Sequence, residues 1–157
     1  MGAMAGRGAL LAVMLALATA GCGSPQAAAL PPTCVDEPPA SIATALEGAP
    51  SPVALPDGTR LSACVHLAAR KEGDLQAMGV ALTRVADALR EQAMSDPSAA
   101  LRLGYLVGAV RRGAARTPGI AAQLARRIEQ LAAIDGAADE RSRDALRRGI
   151  RLGESTG

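Results

Sequence analysis

The sequence predicts an all-α protein, a small antiparallel bundle of three to four main helices behind a proline-rich, mostly irregular N-terminal tether. Three observations carry that expectation. Alanine and leucine, the strongest helix formers and poor strand formers, dominate the apolar residues. Eight of the ten prolines fall between Pro25 and Pro56, which leaves the rest of the chain almost uninterrupted. Beyond Gly73, apolar residues recur at helical spacing, and cap residues mark where each run begins.

From Asp74 onward the elements follow in order. Leu75, Met78, Leu82, Val85 and Leu89 form a 3-4-3-4 seam, with Asp74 as its N-cap and Arg84, Asp87, Arg90 and Glu91 on the opposite side. A shorter helix over Ser62 to Lys71 precedes it and breaks at Gly73. "SDPSAALRLGYLVGAVRRGAA" places Asp96 as cap and Pro97 in the first turn. "RTPGIAAQLARRIEQLAAIDG" repeats the device with Thr117 and Pro118, with Ile120, Leu124, Ile128 and Leu131 as its apolar face and Gly136 as its stop. A last helix starts near Asp139, turns Ala145, Leu146 and Ile150 inward, and ends at Gly153. Short connections make consecutive helices antiparallel neighbours. "GYLVG", Gly104 to Gly108, reads as a close approach of two helices, with self-association as the alternative.

The first 22 residues read as an export signal. Arg7 is the lone charge ahead of the apolar stretch Ala9 to Ala20. Twelve helical residues reach about 18 Å, short of the roughly 30 Å needed to cross a bilayer. "TAGC", Thr19 to Cys22, resembles the lipobox of bacterial lipoproteins. That resemblance implies a diacylglyceryl group on the Cys22 sulfur, cleavage just before Cys22, and an extracytoplasmic domain held at the membrane by its lipid anchor. Residues 1–21 are then the signal peptide, 22–60 the lipidated cysteine and tether, 61–153 the helical domain and 154–157 a flexible tail. "ATA", Ala18 to Ala20, is also an A-x-A site, and the alternative is plain secretion after cleavage at Ala20.

Cysteine arithmetic bears on that choice. Export implies an oxidising compartment, and a lipidated Cys22 leaves Cys34 and Cys64 as an even pair. A bond between them would close a loop of about thirty residues, worth roughly 3.5 kcal/mol. The rival reading makes Cys64 and His66 a C-x-H metal or thiol pair, but two ligands are too few for zinc and the chain has no second histidine. Within the tether, "SIATALEG" reads as two helical turns capped by Ser41. "VALPDGTRL" reads as two short extended arms about a Pro-Asp-Gly turn.

Composition narrows the functions. Tyr105 is the sole aromatic residue, so stacking platforms for unpaired bases and aromatic cages for quaternary amines are excluded. No nucleic-acid partner, cofactor or metal is expected. His66 lacks a nucleophile elbow around any serine, and no phosphate loop or C-x-x-C occurs, which argues against an enzyme. Ten arginines lie between positions 111 and 151 against five acids. Arg111, Arg112, Arg116, Arg126, Arg127, Arg147, Arg148 and Arg151 are candidates for binding anionic lipid or an envelope polymer. Their other reading is solvated helix faces. The sequence thus points to a non-enzymatic interaction module at the envelope that binds another envelope protein, with the anionic-surface binder as the alternative.

Overall fold

A computed structural model describes residues 29–35, 38–117, 119–134, 136 and 138–157. The fold is all-α. Among the described residues six helices follow one another: α1 (Pro38–Leu46), α2 (Leu61–Ala68), α3 (Glu72–Ala93), α4 (Pro97–Ala114), α5 (Ile120–Leu131) and α6 (Glu140–Thr156). A single 3-10 turn at Pro32–Cys34 precedes them. Among the described residues the only extended pairing is an isolated antiparallel bridge between Ala54 and Arg60.

The organising element is α4. From Leu103 to Val110 every residue is buried. A helix that is apolar on all sides belongs in an interior, surrounded by other helices. Helices α1, α2, α3, α5 and α6 all touch it. The apolar run Gly104 to Val110, which contains "GYLVG", is therefore the axis of the core.

Packing of α4 on α6 dominates the molecule, and glycine is the reason. A Cβ added at Gly104 would fall on the Leu146 carbonyl oxygen and lie 2.9 Å from the Ile150 nitrogen. At Gly108 it would strike the Ile150 oxygen and lie 2.7 Å from the Glu154 nitrogen. The relation is reciprocal: Gly149 faces the Leu101 oxygen and the Tyr105 nitrogen, while Gly153 faces the Tyr105 oxygen and the Ala109 nitrogen. Leu101, Gly104 and Gly108 thus stand to α6 as Leu146, Gly149 and Gly153 stand to α4. The matched order means that the two helices run parallel, with α5 as the return path. Small residues four apart let two backbones meet and bring Cα–H groups against carbonyls.

The α3 seam is as expected, with Leu75, Met78, Leu82, Val85 and Leu89 all buried. The Asp96 cap is also as expected, and a second cap stands where the last helix was expected to start. Asp96 accepts from the Ser98 N–H at 2.8 Å, and Asp139 accepts from the Ser142 N–H at 2.6 Å. That bond holds the Asp139 carboxyl below its usual range.

Elsewhere the structure corrects the sequence reading. Helix α3 starts at Glu72, with Lys71 at its N-cap, so Asp74 lies inside the first turn where a negative charge suits the helix dipole. Helix α5 starts at Ile120, after Gly119 at φ 99°, a backbone state that favours glycine. Thr117 is no cap, and Pro118 lies outside the described residues. The helix ends at Leu131, well before Gly136.

Helix α6 does not stop at Gly153. That glycine is a packing residue, and the helix continues to Thr156. Residues 154–157 are not a loose tail either: Gly157 is buried, donates its N–H to the Gly153 oxygen at 2.9 Å and accepts from Ser62 Oγ at 2.5 Å.

The domain also begins earlier than position 61. Helix α1 starts at Pro38 rather than being capped by Ser41, because proline is tolerated in a first turn. Ile42 and Leu46, one turn apart, are buried together with Val53 and Leu55 in the same core. The Pro-Asp-Gly turn forms as expected: Leu55 N–H donates to the Thr59 oxygen at 2.8 Å, and Gly58 sits at φ 82°.

Candidate functional site

The candidate site residues fall into two groups, the cysteines and the arginines. Cys34, on the 3-10 turn, and Cys64, in the middle of α2, are both fully buried and joined by a disulfide with Cα atoms 5.7 Å apart. Around it the N-terminal arm is fastened at two further points. Thr33 Oγ1 donates to Asp57 Oδ2 at 2.7 Å, a bond that holds the Asp57 carboxyl below its ordinary value. The Val53 N–H donates to the Tyr105 hydroxyl at 2.9 Å, and that hydroxyl lies 3.0 Å from Thr156 Oγ1. The one aromatic ring in the chain is thus wholly inside, joining the arm, α4 and the end of α6. Cys22 lies outside the described residues.

The eight candidate arginines divide by their partners. Arg111 reaches Glu129 on α5 at 2.6 Å and Glu154 on α6 at 3.0 Å, and these carboxylates raise its already high pKa. Arg112 donates to the Glu154 and Ser155 backbone oxygens at 2.8 and 2.6 Å, supplying partners to carbonyls at the end of α6. Both guanidinium groups bind helices together. Arg147 pairs with Asp144 one turn away on the same helix. Arg116, Arg126, Arg127, Arg148 and Arg151 are exposed and have no ion-pair partner among the described residues.

His66 is half-buried, with Nδ1 3.1 Å from Thr117 Oγ1. The contact ties α2 to the loop between α4 and α5. Among the described residues no three His, Cys, Asp or Glu side chains converge as metal ligands. No helix there is long and apolar enough to cross a membrane.

One surface feature escaped the sequence reading. Ile120 was expected on the inner face of α5, yet it is 56% exposed. The other exposed large apolar residue among those described is Val80 on α3, at 50%. Both line one groove of about 510 Å³ between α3 and α5, with Leu124 in its floor and Glu72 and Arg127 among its polar walls. The signal in the sequence was Val80 and Gly79, which sit off the Leu75–Leu89 seam. In comparisons with known proteins the chain matches no family model, no characterised protein and no solved structure.

Proposed function

We propose that the chain is an exported lipoprotein, held at a membrane by acyl chains on Cys22, whose helical domain is a non-enzymatic interaction module of the cell envelope. The observation that carries this reading is the Cys34–Cys64 disulfide. It accounts for two of the three cysteines and suits an oxidising compartment. The third, Cys22, stands alone behind the signal-like segment and its lipobox. A partner protein is the natural target for such a module, because its helices are set on one buried core and, among the described residues, no three His, Cys, Asp or Glu side chains converge.

The reading is tested on protein purified from its own membranes. Mass spectrometry is expected to find Cys22 as the first residue, bearing a diacylglyceryl group, and Cys22→Ala is expected to abolish that modification and lipid-dependent membrane retention. An unmodified amino end at Gly21 with a free thiol at position 22 would overturn the proposal.

A second reading, binding to anionic lipid or an envelope polymer, is favoured by the five exposed arginines that have no ion-pair partner among the described residues. It is tested with Arg116, Arg126, Arg127, Arg148 and Arg151 replaced by Gln. Arg111 and Arg112 are left in place, because their loss would loosen the helices themselves. Binding to anionic vesicles should fall steeply with salt and with these replacements, and binding indifferent to both removes this reading.

A further inference from the structure

Glycine in the middle of a helix costs about 1 kcal/mol relative to alanine, so each one needs a reason. In this molecule the reason is nearly always a neighbouring helix. Gly104 and Gly108 meet α6, Gly149 and Gly153 meet α4, and Gly113 meets α2 at the Ser62 oxygen and the Val65 side chain. Gly73, in the first turn of α3, meets nothing within 4 Å, and Gly79, two turns into the helix, is the other exception. A Cβ added there would meet only Leu124 Cδ1, at an ordinary 3.4 Å. Among the described residues no backbone of another element comes within 4 Å of it. Instead it opens onto the α3–α5 groove, beside Val80 and Ile120.

We propose that this groove is a self-recognition face and that its occupant is a second copy of the chain. The argument is complementarity. An interface between identical copies related by a two-fold axis must supply both halves of every contact from one patch. This patch does so. It holds a depression at Gly79 immediately next to a projecting Val80, so that each copy's Val80 seats in the other's Gly79 depression. It also holds one exposed acid, Glu72, and one exposed base, Arg127, so that Glu72 of each copy faces the partner's Arg127. Ile120 then covers the Leu124 floor of the groove from water. An anionic bilayer would have no use for Glu72 in the groove wall and would favour a convex surface over a groove. The proposal stands independently of the lipid anchor, since the face lies wholly within the helical domain.

The test uses the native protein, in mild detergent if it carries lipid, and reads its mass by sedimentation across a concentration series. A dimer is expected. Glu72→Arg and Arg127→Glu should each weaken it roughly tenfold or more, because symmetry applies each charge change twice. The double variant, Glu72→Arg with Arg127→Glu, should restore it, since the two charges merely exchange places. Both side chains are exposed, so these variants keep the fold, which circular dichroism checks. Gly79→Leu, which fills the depression, should also give a monomer. A native protein that stays monomeric into the high micromolar range overturns the proposal. So does a dimer indifferent to these changes, or one that the double variant fails to restore, as would happen if the groove received a different protein or a lipid surface.

Discussion

Among the helix pairs in this molecule that meet over glycine, α4–α6 and α3–α5 do so differently. Between α4 and α6 the backbones themselves are in contact, with each glycine lodged against a carbonyl of the other helix. Between α3 and α5 contact runs through side chains, and Gly79 faces a groove with only Leu124 Cδ1 within reach. The comparison teaches that the same residue type marks two situations. In the first pair glycine is a structural necessity, and a methyl group has nowhere to go. In the second it leaves space, and the helix tolerates the loss of that space.

Four substitutions put that difference to the test. The largest effect is expected for Gly104→Ala, where the added methyl group collides with main chain that cannot rotate away. We expect a loss of about 3 kcal/mol or more in a denaturant titration, at the upper end of overpacking costs. Gly149→Ala, its counterpart on α6, should cost a similar amount. If either change is neutral, the close parallel packing of α4 and α6 is wrong. Next comes Tyr105→Phe, which removes the hydroxyl that accepts from Val53 and lies beside Thr156. Its expected cost is about 1–2 kcal/mol, because the buried Val53 N–H loses its acceptor. A loss of that size measured by equilibrium unfolding would show that the arm and the α4–α6 seam share one hydroxyl. The smallest effect, of opposite sign, is expected for Gly79→Ala. Measured at low protein concentration, it should raise stability by about 0.5–1 kcal/mol through helix propensity alone. A destabilisation there would mean that Gly79 is as tightly enclosed as Gly104.

What the sequence made legible follows the same division between local and distant causes. Asp96–Pro97 and Asp139 were readable as helix starts because a cap is a bond between residues two or three apart. The Leu75–Leu89 seam was readable because periodicity needs only one helix. The Cys34–Cys64 pair followed from counting cysteines. Pairing of α4 with α6 was not readable in full. "GYLVG" announced a close approach, but its counterpart, Gly149 and Gly153, lies in "RRGIRLGEST", where flanking arginines suggest a solvated face and Gly153 looks like a helix stop. Those arginines are indeed exposed; the structural ones lie on α4. Arg111 and Arg112 could not be told from Arg126 and Arg127 by spacing, because their partners Glu129, Glu154 and Ser155 come from other helices. Ile120 was misplaced for a local reason: Gly119 at φ 99° moves the helix start past Thr117 and leaves the first apolar position outside. The arm was underestimated because its buried residues, Ile42, Leu46, Val53 and Leu55, are too sparse among prolines to show a period.

The burial of Tyr105 has a practical side. With no tryptophan or phenylalanine in the chain, this ring is the sole aromatic chromophore, and it sits where three segments converge. Its fluorescence is therefore a built-in optical gauge of that junction, free of background from any other ring. The same scarcity leaves the protein with very little aromatic absorbance on a column, so its elution is better followed by peptide-bond absorbance or refractive index.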